Sequence, residues 1–170
     1  MLFCEASAFV LGNDINTDYL ISSRRKRSTI DPEQLKQYIL EDIRPGFYDL
    51  LDNKAAILVA GCNMGCGSAM EIAAQILPEN KINVVLATSF ARSFYRNCIN
   101  NGVLPLQMLT SGIEEGDLLQ IYLEDASIMV CNLSQNTRVT CPPLQGEVRS
   151  ILAAGGLVPY VQMKRNGSMV

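Results

Sequence analysis

Apolar residues follow two rhythms along this chain, and the change from one to the other marks its elements. Residues 2 to 11 form an apolar run that reads as a first strand. "AAILVA" (55 to 60) and "INVVLA" (82 to 87) are short runs, apolar but for Asn83, the pattern of strands buried on both faces. Between them Ala69, Ile72, Ala73, Ile76 and Leu77 recur at the spacing of one helical stripe, which predicts a helix beginning at Ser68. The unit is strand, glycine-rich turn, helix, strand. A second helix, "SFARSFYRNCINN", stops at Gly102 and is followed by "VLPLQM". "DLLQIYL", "SIMVCNL" and "TRVTC" read as shorter strands, and "GEVRSILAAGG" as a final helix ending in glycine. Earlier, "GNDINTDYLISSRRKRST" has loop character, interrupted only by Tyr19 to Ile21; Asp31 and Pro32 then supply an N-cap and a first-turn proline for a helix over "PEQLKQYIL". The order joins a crossover unit to a meander, an α/β arrangement.

Composition narrows the class. A chain of 170 residues, 48% hydrophobic, suits one compact domain spanning 1-170. A net charge of -3 argues against a general polyanion binder, which needs a basic face to displace phosphate counterions, so no nucleic-acid partner is expected. "MLFCEASAFV" lacks a basic leader, contains Glu5 and is too short to span a bilayer; no membrane association and a cytoplasmic location are expected. The six cysteines are scattered through core-like segments, as free thiols would be. There is no histidine, which removes imidazole bases, Ser-His or Cys-His pairs and histidine metal ligands. Acid-base chemistry must come from another group or another chain.

"GCGSAME" (65 to 71) is the stretch richest in candidate chemistry. Ser68 and Glu71 have capping-box spacing, each side chain satisfying an amide beside the other. The glycines at 61, 65 and 67 exceed what a cap needs. They allow close approach of backbone to a ligand, while the amides and dipole of a helix N-terminus favour an anion there. Fixed donors of this kind would also stabilise a serine alkoxide. Cap and base both remain open on local sequence.

"GCNMGCGSAMEIAAQIL" resembles the segment of 3-isopropylmalate dehydratase small subunits and the aconitase superfamily that reads Gly-x-Gly-Ser-Ser-Arg-Glu. "NDINTDYLI" is similar to that family's Asp-x-x-Thr-Asp-x-Ile segment, "ATSFARSFYRNCINNGVLPL" to its most recognisable signature, and "AAGGLVPYV" fits its C-terminal part. The resemblance implies an aconitase-type swivel domain in β/β/α layers that closes over a large-subunit partner carrying a [4Fe-4S] cluster, with no cofactor in this chain. It implies a two-chain hydro-lyase that dehydrates and rehydrates a small hydroxy acid of the isopropylmalate or homoaconitate type. Ser68 then occupies the position of the base that removes a carbon-bound proton, and Asp18 that of an active-site residue. Gly67, Ala69 and Met70 line the substrate side of the same turn.

Ser68, Ala69 and Met70 stand where the family has Ser-Ser-Arg, so the second hydroxyl and the carboxylate-gripping arginine are missing. Replacing a bidentate arginine is not conservative. Met70 lies off the apolar stripe and serves either a pocket or the partner interface. Four consecutive basic residues follow Ser23. They are either a solvated loop or a source of replacement charge, with Arg24, Arg25 and Arg27 as substrate-binding candidates. Cys62 and Cys66 are spaced too widely for a standard metal pair and read as small packing residues. Arg92 and Arg96 share a helical face suited to a partner, while the aromatics between them suit packing on the sheet. A regulatory homologue that has lost catalysis at Ala69 and Met70 is the alternative to the enzyme subunit; nucleic-acid binding through "RRKR" is a third reading.

Overall fold

The computed structural model describes residues 1–167. Seven strands form one continuous sheet: β1 (Leu2–Val10), β2 (Ala56–Ala60), β3 (Ile82–Ala87), β4 (Leu104–Gln107), β5 (Leu118–Leu123), β6 (Ile128–Asn132) and β7 (Thr137–Cys141), in the order β4-β3-β2-β1-β5-β6-β7. β1 is the junction. It pairs in parallel with β2 (Ala8 beside Ile57) and antiparallel with β5 (Glu5 beside Gln120). β2, β3 and β4 continue the parallel half, and β5, β6 and β7 make the expected meander. Pro105 is tolerated in β4 because that strand pairs on one side only.

The helices lie in the crossovers: α1 (Thr17–Leu20), α2 (Pro32–Leu35) and α3 (Phe47–Leu51) between β1 and β2, α4 (Ile72–Glu79) between β2 and β3, and α5 (Arg92–Asn100) between β3 and β4. α6 (Val148–Ala153) and α7 (Leu157–Arg165) follow β7. Period-2 alternation divides the core. Ala56, Leu58 and Ala60 of β2 face a cluster with Ala73, Ile76 and Leu77 of α4 and Phe94 of α5, whereas Ile57 and Val59 face the other side. That second cluster is built almost wholly from strands: Val84, Leu86, Ile121 and Val130 meet there, and Leu152 is the one buried helical member among the described residues. The sheet therefore curls until its meander packs over its parallel half, giving β/β/α layers.

Both double-buried strands lie where their apolar runs predict, and Asp31 caps α2 as expected, its Oδ1 accepting from Glu33 N at 3.1 Å. Helix boundaries differ more. The helix expected from Ser68 begins at Ile72, with no side-chain cap, so the Ser68/Glu71 capping box does not form. The cause is a tight bend: Met70 N donates back to Ser68 O at 2.7 Å, an i to i+2 bond that a helix cannot contain, and Ala69 is left exposed. The predicted helix over "PEQLKQYIL" is helical only to Leu35, continues as one tight turn at Lys36–Tyr38, and reverses at Leu40 (φ +56°), which drives Ile39 and Leu40 into the core. α1, α3 and α7 arise in stretches without a helical pattern; α1 has its own cap in Asn16, whose Oδ1 accepts from Asp18 N at 2.9 Å.

Candidate active site

The loops leaving the carboxyl ends of β1, β2 and β3 are laced together, at the end of a parallel sheet where ligands commonly bind. The first two run side by side: Gly61 N donates to Gly12 O (3.1 Å), Asp14 N to Cys62 O (2.8 Å), Gly65 N to Ile15 O (2.7 Å) and Thr17 N to Cys66 O (2.9 Å). The third is tied in by Met64 N to Ser89 O and Ala91 N to Met64 O, both 2.9 Å. Thr17, 1% exposed, completes the lacing with a hydrogen bond from Oγ1 to Ser68 O at 2.8 Å. A tertiary tether from α1, rather than a helix cap, thus holds Ser68.

The glycines of this turn serve the protein's own packing more than the close approach of a ligand. A Cβ on Gly61 would overlap the Asn13 side chain, one on Gly65 the buried ring of Phe94, and one on Gly67 the side chain of Asn16. Gly65 and Gly67 also have φ of +78° and +87°, open to few other residues. What the turn leaves free is polar. Gly67, Ser68 and Ala69 are exposed, their amides donate to no acceptor among the described residues, and Ser68 Oγ makes no hydrogen bond there. Three unspent amides and a free hydroxyl can receive an anion and stabilise charge developing on an oxygen.

Asp18 lies across from this turn. Ser23 Oγ donates to its Oδ1, and Lys26 Nζ stands 3.3 Å from the same oxygen. The Ser23 hydrogen bond first, and the Lys26 ammonium after it, hold the Asp18 carboxyl below the usual aspartate range, so it is ionised at neutral pH. Lys26 Nζ also lies against Met70 Sδ, which places Met70 between the basic segment and the Ser68 turn.

Site candidates divide accordingly. Ser68, Gly67, Ala69, Met70 and Asp18 come together. Arg25 turns away, gripping Glu41 through Nε and Nη2 at 2.7 Å each and stacking 3.9 Å over the Tyr38 ring. Arg24 pairs with Asp42 at 3.3 Å and Glu41 at 3.6 Å. Arg27 is exposed. The basic residue that does reach Met70 is Lys26, which the sequence reading passed over; Arg25–Arg27 form one 3-10 turn, so consecutive residues point in different directions, and no local signal ranks them. Cys62 is exposed and Cys66 half-buried, whereas burial pushes the Cys98 thiol up and leaves it unreactive. Arg92 and Arg96 are exposed on α5, and Phe94 between them is buried under Gly65. Among the described residues no group of three or more His, Cys, Asp or Glu is placed to hold a metal ion, and no helix is long and apolar enough to cross a membrane.

A swivel-type α/β domain with a serine turn at the carboxyl ends of its parallel strands defines a class, and comparison with known proteins agrees with it. The aconitase C-terminal domain family matches residues 25–111. The chain is 36% identical over 164 residues to the methanogen homoaconitase small subunit of Methanocaldococcus jannaschii, covering 96% of this chain and 94% of that protein. It is 39% identical over 165 residues to the 3-isopropylmalate dehydratase small subunit of Metallosphaera sedula, covering 95% and 98%. The crystal structure of 3-isopropylmalate dehydratase from Methanocaldococcus jannaschii superposes with a TM-score of 0.86 at 35% identity, over 99% of this chain and 98% of that one. This chain belongs to the family of 3-isopropylmalate dehydratase-type small subunits of aconitase-like hydro-lyases.

Proposed function

We propose that this chain, as one swivel domain, is the small subunit of a two-chain hydro-lyase that removes water from a hydroxy carboxylic acid of the isopropylmalate or homoaconitate type and adds it back across the resulting alkene. Ser68 takes the carbon-bound proton, and Gly67, Ala69 and Met70 line the substrate beside it. The observation that carries this reading is the unpartnered, exposed hydroxyl of Ser68, held by Thr17 in a turn whose amides are free to face an anion. Asp18, ionised and anchored by Ser23, keeps the basic segment against that turn. Among the described residues no group of three or more His, Cys, Asp or Glu is placed to ligate a cluster. In this reading the [4Fe-4S] cluster belongs to the large subunit, whose docking over the exposed turn completes the site.

Ser68 offers a clean test because its side chain caps no helix among the described residues. Ser68→Ala should change stability by no more than about 0.5 kcal/mol, as at an ordinary surface position. In the enzyme reconstituted with its large subunit, the same substitution should lower turnover by about 10²- to 10⁴-fold, the worth of a positioned base. Turnover within a few-fold of wild type would remove Ser68 from the chemistry. A wild-type complex inactive on every hydroxy acid of this class would instead identify a homologue without catalysis.

A further inference from the structure

Lys26 is an ammonium with too few partners for its surroundings. Its side chain is only 14% exposed, yet its full-charge partner, Asp18 Oδ1, stands at 3.3 Å and also accepts from Ser23. Its other neighbour is the Met70 thioether, a weak acceptor. An ammonium has three donors, and a sheltered one left with a shared carboxylate oxygen and a sulfur gains from any anionic oxygen that comes within reach. The neighbouring arginines have no such deficit: Arg25 is bidentate on Glu41, and Arg24 rests on Asp42 and Glu41. Met70 joins Lys26 to the turn that holds Ser68, where the amides of Gly67, Ser68 and Ala69 are also unspent.

We infer that Lys26 is the residue that binds a carboxylate of the substrate beside Ser68, exchanging its thioether contact for a carboxylate oxygen while Asp18 holds it in place. Position 70 need not then supply charge itself. Its thioether lies against the ammonium and joins it to the Ser68 turn. The inference rests on the hydro-lyase reading above and adds to it the group that takes the substrate's charge.

The test uses the reconstituted two-chain enzyme, with wild type, Lys26→Gln, Lys26→Arg, Lys26→Gln/Met70→Arg, Arg24→Gln and Arg25→Gln assayed on isopropylmalate and homologous hydroxy acids. Lys26→Gln should raise KM about tenfold to a hundredfold, the worth of a charged hydrogen bond, with a smaller change in kcat. Lys26→Arg should stay within a few-fold of wild type. Arginine at position 70 in the double variant should recover most of the loss, a rescue that a merely structural lysine would not show. Arg24→Gln and Arg25→Gln should alter KM by less than about threefold, their charges being spent within the chain. Thermal midpoints and co-elution with the large subunit establish that each variant is folded and assembled. An active wild type with an unchanged KM in Lys26→Gln overturns the inference and leaves the hydro-lyase reading standing. A loss that neither Lys26→Arg nor Met70→Arg repairs overturns it in favour of a structural role. An inactive wild type overturns the hydro-lyase reading and this inference together.

Discussion

Thr17 is the position at which stability and catalysis should come apart. Its hydroxyl is buried and donates to Ser68 O at 2.8 Å, 51 residues away in sequence. Thr17→Val replaces that hydroxyl with a methyl of nearly the same volume, so no cavity opens. Ser68 O keeps its bond from Met70 N and is not left without a donor. The expected cost is one ordinary hydrogen bond, about 1 kcal/mol. For a chain of this length that lowers Tm by about 2–4 °C. Thr17→Ser is the counterpart: it keeps the hydroxyl and loses a buried methyl, again about 1 kcal/mol. The two variants should therefore melt alike. They should not react alike, since releasing the turn displaces Ser68 and a displacement of about 1 Å can cost about 10²-fold in rate. Calorimetry of each chain, followed by turnover after reconstitution with the large subunit, reads both quantities. If Thr17→Val turns over as Thr17→Ser does, the tether has no part in positioning Ser68 and the reasoning fails.

Gly65→Ala should be costly for two separable reasons: a left-handed φ of +78°, worth about 1–2 kcal/mol, and overlap with the Phe94 ring, worth about 1–3 kcal/mol more. Gly116→Ala, at φ +83° with open space around it, carries the first cost alone; equal urea midpoints for the two variants would contradict the packing account. Glu41 is held below the ordinary glutamate range chiefly by its hydrogen bond from Arg25, so its contribution is complete above about pH 4.3 and is lost as pH falls through the lowered folded value. Glu41→Gln should accordingly be less stable than wild type at pH 7, by a margin that closes in acid. A margin constant from pH 7 to pH 3 in denaturant titrations would show that Arg25 is not committed to Glu41.

The basic segment was ambiguous in sequence for a physical reason. Four adjacent cations carry the same charge, and only their carboxylate partners distinguish them. Glu41 and Asp42, at the far end of the crossover, claim Arg25 and Arg24, which leaves Lys26 to Asp18 and Met70. Salt should affect these pairs unequally: Arg24 is largely exposed and screened, whereas Lys26 is sheltered.

Sequence alone determined what depends on period and chain direction. The runs at 55–60 and 82–87 carry the pattern of buried strands and Asp31-Pro32 that of a helix start, and each forms where it is read, because these signals lie within a few residues of the structure they produce. The resemblance of its motifs implied one site for Ser68 and Asp18, with Met70 standing where the pattern departs. Tertiary structure decided where the helix after Ser68 begins, since a hydroxyl arriving from Thr17 and a tight bend at Ala69 outweighed a capping-box pattern worth about 1 kcal/mol. It also decided why the turn is rich in glycine: Phe94 comes from α5, Asn13 and Asn16 come from the loop after β1, and nothing near positions 61 to 67 announces them. The choice of Lys26 over its three arginine neighbours belongs to the same level. A side chain's direction in a single 3-10 turn is set by which distant carboxylate meets it, and that pairing exists only after the crossovers have packed on the sheet.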